Sequence, residues 1–303
     1  MTGLHPGWRL GGFLLLLVIL ALLGTALFVI LHVPPQRSHG VLQPLPLLGT
    51  GAVVVTIVLG ATVGSLRRFE RRTLATVGLP SGRAAYAGIA LGLLLGAMVP
   101  LIVWGVLWAT GHAVVEAGHL SSSDLLGATL PMALATVLLS SWEEIAFRGY
   151  PLQLLSELGG PWLGACLTGV TFGLAHSGNP GANLLGFLNT ALNGVLLAWI
   201  VIKSGSLWLA CGYHAGWNLA ASTLIGMRDS GLIAPGSLFG TTLNGPTWLS
   251  GGAYGFEASI LTGLSETLLL SLVLAFASHL PSVPVAQPYF AGRPQRALEA
   301  VST

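Results

Sequence analysis

Glu143, Glu144 and Arg148 stand in an apolar run, where each charge at a helix centre costs about 2.5–3.5 kcal/mol to insert. Glu144 and Arg148 are four residues apart in acid-first order, so on a helix they neutralise each other. Glu143 is turned about 100° from that face and keeps no local partner. Burial raises the basicity of such a carboxylate, which suits it to take a proton from water. Gly159-Gly160-Pro161 lies midway between Glu143 and His176. A helix that passes a kink at Pro151 and reverses at the glycines therefore sets Glu143 and His176 at one depth. His214 and Asn218 share a helical face at i, i+4. His214 lies about 12 Å in from the turn at Lys203-Ser204-Gly205, which is the depth expected of the first pair.

A glutamate, two histidines and an asparagine converging in a dry pocket can hydrolyse a peptide bond. Glu143 takes the proton of the attacking water, His176 orients that water, and His214 with the Asn218 amide supplies donors to the oxyanion. This scheme requires no cofactor. Its competitor has Glu143, His176 and His214 hold one zinc ion that activates the water, although the compact H-E-x-x-H spacing is absent. Two readings come from other classes. A proton-coupled transporter would use Glu143, His176 and Glu266 as a relay, and it predicts an inverted repeat for which the sequence gives no clear sign. A non-proteolytic scaffold or immunity protein would keep its activity with Glu143→Ala.

The elements that must hold these residues are dictated by composition. With 53% hydrophobic and 7% charged residues and a mean hydropathy of +0.80, a soluble domain is excluded. The expected fold is all-α, a polytopic transmembrane bundle of about eight helices with an intramembrane active site. Spans are expected near 8–33, 45–65, 84–110, 126–148, 161–183, 185–203, 206–226 and 258–280. Residues 1–120 then form three N-terminal helices, 121–226 the catalytic core, and 227–303 an outer loop, the last helix and a cytoplasmic tail. The first apolar run exceeds a signal-peptide core and reads as an uncleaved span.

Arg67, Arg68, Arg71, Arg72 and Arg83 mark a cytoplasmic connection. Alternation puts Arg9, Arg148, Lys203, Arg293 and Arg296 on the same side and leaves Arg37 and Arg228 outside. A multi-pass protein of the cell membrane with both termini cytoplasmic is expected. The net charge of +2 comes from these flanks, so nucleic acid is not an expected partner. Cys166 and Cys211 read as packing residues, and the 42 glycines as close helix contacts. His112, Glu116 and His119 would share a face only if their segment stayed helical, whereas an outer loop is expected there. His5, His32, His39 and His279 sit near span ends. Glu266, inside the last span, either hydrogen-bonds between helices or lines a route for substrate or protons.

Three stretches carry a family resemblance. Glu143-Glu144-Ile145-Ala146-Phe147-Arg148, then Phe172 to His176, then His214 to Asn218 resemble, in order, the E-E-x-x-x-R, F-x-x-x-H and H-x-x-x-N/B motifs of the CAAX protease and bacteriocin-processing family. The resemblance covers about residues 125–225 and includes Ser206-Leu207-Trp208. It implies an intramembrane endopeptidase, related to the type II CAAX prenyl endopeptidase known as Ras-converting enzyme, that acts on a membrane-anchored or lipidated peptide in the bilayer. It implies that Glu143 and His176 activate water, that His214 and Asn218 bind the oxyanion, and that Glu144, Arg148 and Phe172 support them. Members have also been called metalloproteases, so the zinc alternative travels with the resemblance. No particular substrate does.

Overall fold

The computed structural model describes residues 4–30, 37–38, 41–118 and 121–276. His32, His39, His119, His279, Arg293, Arg296, the far ends of the first and last expected spans and the tail after Pro281 lie outside the described residues. The helices are α1 (Pro6–Ile30), α2 (Pro44–Ser65), α3 (Arg83–Ala109), α4 (Ser122–Asp124), α5 (Leu130–Glu144), α6 (Tyr150–His176), α7 (Leu184–Ser204), α8 (Leu207–Asn218), α9 (Thr247–Ser250) and α10 (Ile260–Phe276). Two small antiparallel strand pairs accompany them: β1 (Arg37–Ser38) with β2 (Val41–Leu42), and β3 (Ala113–Ala117) with β4 (Phe239–Leu243). The chain is thus the all-α polytopic bundle that its composition requires. The helical segments Pro6–Ile30, Pro44–Glu70, Arg83–Ala109, Leu125–His176 and Leu184–Ser204 are long and apolar enough to cross a membrane.

Pro151 and the glycine pair shape the segment that carries the acid cluster. After α5 the helix widens into a π turn over Ile145–Gly149. The backbone breaks at Gly149, whose ψ is −118°, and Pro151 falls in the first turn of α6, where its missing N–H is not needed. Gly159 and Gly160 leave helical geometry inside α6, Gly160 with φ 87°. The 150–158 and 161–176 arms fold back on each other there. A Cβ at Gly164 would come within 3.0 Å of Leu152 O and of Ser156 N, so only glycine allows the arms to close.

The second arm ends at His176, short of the 161–183 span expected. Ser177-Gly178-Asn179-Pro180-Gly181 cannot continue a helix, and the Asn183 side chain caps α7 by accepting from Gly186 N. Residues 113–117 form a strand because Val114 and Val115 favour extended backbone and pair with Thr242 and Thr241. The helical face that could have joined His112 and Glu116 therefore does not form, and His112 Nδ1 lies 3.1 Å from Thr110 Oγ1 instead.

Helix α8 is held by a glycine seam. Gly88, Gly92 and Gly96 of α3 run parallel to Gly212 and Gly216 of α8, so closely that a Cβ at Gly212 would lie 3.0 Å from Ile89 Cα and one at Gly216 2.8 Å from Leu93 Cα. A π turn continues α8 over Leu219–Leu224. At one end of the bundle Arg9 ties α1 to Glu70 at 2.8 Å and to Glu157 at 2.6 Å. At that end too Leu207 N donates to Gly78 O, and Trp208 Nε1 to Pro80 O, both at 2.8 Å. The opposite end is closed by β3–β4 and by the 225–259 segment, whose Ile233 O accepts from Leu42 N at 3.2 Å.

Candidate active site

Glu144 and Arg148 are the best-buried ion pair, both 0% exposed, with Arg148 Nη1 3.0 Å from Glu144 Oε1. The guanidinium also lies over the Phe172 ring, 4.2 Å from its centroid, a cation–π contact that ties the α5 segment to the second arm of α6. Glu144 Oε1 meets a further group, His214 Nδ1, at 2.9 Å. One carboxylate thereby joins the buried arginine to a histidine from α8.

Glu143, one residue earlier, faces a different direction. Its Oε2 lies 3.8 Å from His214 Nε2 and 3.9 Å from His176 Nε2. The antiparallel arms thus bring Glu143 and His176 to one depth, and the glycine seam delivers His214 to the same point. His176 Nδ1 is 2.9 Å from Phe172 O, a carbonyl that can only accept. The Nδ1 atoms of both rings therefore carry protons, held by a carbonyl and a carboxylate, and each Nε2 is turned toward Glu143. Asn218, one turn beyond His214, donates from Nδ2 to Ser140 Oγ at 3.3 Å, and its second amide hydrogen remains for another acceptor. Glu143, His176, His214, Asn218 and Phe172 all line one cavity of about 750 Å³.

A zinc ion tests the same donors differently. Two ligands on a tetrahedral zinc stand roughly 3.3 Å apart, closer than the 3.8 and 3.9 Å separating Glu143 Oε2 from the two Nε2 atoms. Among the described residues no group of three His, Cys, Asp or Glu side chains is disposed to hold a metal ion. The donor spacing as it stands does not fit the ion.

Residues 125–220 match the family described as type II CAAX prenyl endopeptidase, Rce1-like. The match covers about a third of the chain. A relative, the uncharacterized protein YyaK of Bacillus subtilis (strain 168), is 27% identical over 214 residues, which are 68% of this chain and 70% of its own length. No solved structure matches. The Rce1-like segment contains Glu143, Glu144, Arg148, Phe172, His176, His214 and Asn218, and leaves α1 to α3 and α10 outside it.

Several residues that line the cavity were not singled out by spacing. Asp229, Ser230 and Glu257 reach it from the 225–259 segment, and Asn189, Thr190 and Asn193 from α7. Asn193 Nδ2 donates to Glu266 Oε1 at 2.9 Å, so Glu266 does bond between helices and also lines the cavity. Asn189 Nδ2 donates to Glu257 O at 2.7 Å and Ser259 O at 2.9 Å, which anchors the loop over α7. Trp217 Nε1 donates to Glu257 Oε1 at 3.2 Å. Burial, and then the neighbouring Glu257 and Glu143 charges, push the Asp229 carboxyl well above the usual carboxylate range. The i, i+4 pair Asn189 and Asn193 in an apolar helix was the available signal; the loop acids offered none.

Proposed function

We propose that the chain is an intramembrane endopeptidase that hydrolyses a peptide bond of a membrane-anchored or lipidated protein or peptide. The observation that carries this reading is the position of Glu143 Oε2 between His176 Nε2 and His214 Nε2. The similarity of residues 125–220 to the Rce1-like family supports the same class of chemistry.

A water between Glu143 and His176 loses a proton to Glu143 as its oxygen attacks the scissile carbonyl carbon. The carbonyl oxygen becomes an oxyanion facing Asn218 and His214. To donate through Nε2, the His214 ring must carry protons on both nitrogens, and Glu144 holds the one on Nδ1. Arg148 neutralises Glu144, and Phe172 fixes both Arg148 and, through its carbonyl, His176. When the intermediate collapses, the C–N bond breaks and Glu143 returns its proton to the leaving amine. No step calls for a metal. The bundle end that carries Arg67, Arg68, Arg71, Arg72, Arg83 and Lys203 faces the cytoplasm of the cell membrane in this reading, and both termini lie there.

The test is cleavage of a panel of membrane-anchored and prenylated peptides by purified protein in detergent, with Glu143→Ala and a zinc chelator as controls. Cleavage that disappears in the variant and ignores the chelator is expected. Equal cleavage by variant and wild type removes Glu143 as the base, while loss on chelation with recovery on added zinc replaces this scheme with the metal one.

A further inference from the structure

The cavity of about 750 Å³ is rich in carboxyls. Its lining contains Glu143, Asp229, Glu257 and Glu266, and no lysine or arginine among the described residues. Arg148 is turned to Glu144 and is absent from the lining. Glu143 serves the hydrolytic centre. The other three carboxyls lie outside the Rce1-like segment and take no part in the steps above.

Glu266 is 1% exposed. Asn193 occupies one of its oxygens, and the other, Oε2, is buried without a hydrogen-bond partner. A buried acceptor left this way is costly, and a donor brought by a ligand recovers that cost. Glu257 is held rigidly: Oε1 accepts from Trp217 Nε1, and Oε2 from the backbone N–H and hydroxyl of Ser230. Asp229 adjoins Glu257, so the loop presents two carboxyls to the cavity that α10 supplies with a third. A neutral amide could fill the vacant bond of Glu266, whereas a cation also favours the charged form of the adjoining Asp229 and Glu257 carboxyls.

We propose that Asp229, Glu257 and Glu266 form a subsite for the ammonium or guanidinium group of a lysine or arginine in the peptide cleaved at Glu143. The inference rests on the peptidase reading and extends it to substrate selection. A basic side chain offers three or five donors and the opposite charge, and an acidic residue at the same position is rejected by the like charge of the carboxyls.

The probe is a set of acyl-anchored, fluorescein-labelled decapeptides in which each position in turn is lysine, glutamine or glutamate. Binding is read by anisotropy on the full-length Glu143→Ala protein, where nothing is cleaved, and kcat/KM on the wild type. At one position lysine should bind about tenfold tighter than glutamine, and glutamate more weakly than either. Glu266→Gln, of almost unchanged volume, and Asp229→Asn should each cut that ratio to about threefold or less. Asp229→Lys should move the preference toward glutamate, a gain that misfolding cannot mimic. Equal binding of the three peptides at every position, or a lysine preference unchanged in all three variants, overturns the subsite. Cleavage without charge preference sinks the subsite and spares the peptidase, whereas charge-selective binding with no cleavage of any peptide does the reverse.

Discussion

Arg148 has no water to turn to, and its value to the protein is as the counter-charge of Glu144. Arg148→Ala leaves a carboxylate buried alone and should cost about 3–5 kcal/mol, read as thermal unfolding in detergent. Arg148→Met combined with Glu144→Gln removes both charges and should recover most of that stability while hydrolysis stays low, because His214 loses the carboxylate that holds its Nδ1 proton. A double variant as unstable as Arg148→Ala would show that the lone carboxylate is not what destabilises the single variant. Asp229 behaves in the opposite sense. Its carboxyl is raised above its ordinary value by burial and by Glu257, so the folded state releases its proton at higher pH than the unfolded chain, and stability falls as pH rises between those two values. Asp229→Asn should therefore raise the melting temperature at pH 8 by more than at pH 4, in melts recorded at both. The legibility of these residues differs for a physical reason. Glu143, Glu144 and Arg148 stand out because charge inside an apolar helix demands an explanation. Asp229 and Glu257 sit in a loop, where solvated acids are the rule, and only the folding of 225–259 over α7 turns them inward.

At the scale of helices, the site depends on how closely α3 and α8 approach, since α8 carries both His214 and Asn218. A Cβ at Gly96 would collide with the Tyr213 carbonyl, while one at Gly105 on the same helix meets nothing within 4 Å. Gly96→Ala should destabilise by about 1–3 kcal/mol through overpacking and lower turnover by displacing His214. Gly105→Ala should be neutral or stabilise by up to about 1 kcal/mol, as helix propensity alone dictates. Similar melts and kcat values for the two variants would refute the seam. The glycine-rich spans suggested close packing, but which helices meet could not be read from them, because every span here is glycine-bearing and apolar. The turn at Gly159-Gly160 was readable, because a glycine pair before proline dictates a break. The strand at 113–117 was not, because its partner lies more than a hundred residues away in β4.

The molecule as a whole has unlike ends. Arg9, Glu70, Glu157, the 71–82 connection and the turn before α8 meet at one, and Arg67, Arg68, Arg71, Arg72, Arg83 and Lys203 belong to the segments that gather there. The other end holds β3–β4 and the 225–259 segment, with Asp229, Glu257 and the exposed Arg228. Carrying the first end across a bilayer would transfer a cluster of cations that the second end does not have, so insertion should retain it in the cytoplasm. In a background with Cys166→Ala and Cys211→Ala, a cysteine at the exposed Ser81 should then react with an impermeant maleimide only in inverted vesicles, and one at the exposed Asn244 only in intact cells. That outcome places the acidic pole of the cavity on the extracytoplasmic side of Glu143, so a bound peptide would hold its basic residue outward of the bond it loses. Labelling in the reverse pattern would invert the molecule and, with it, the direction from which a substrate must enter.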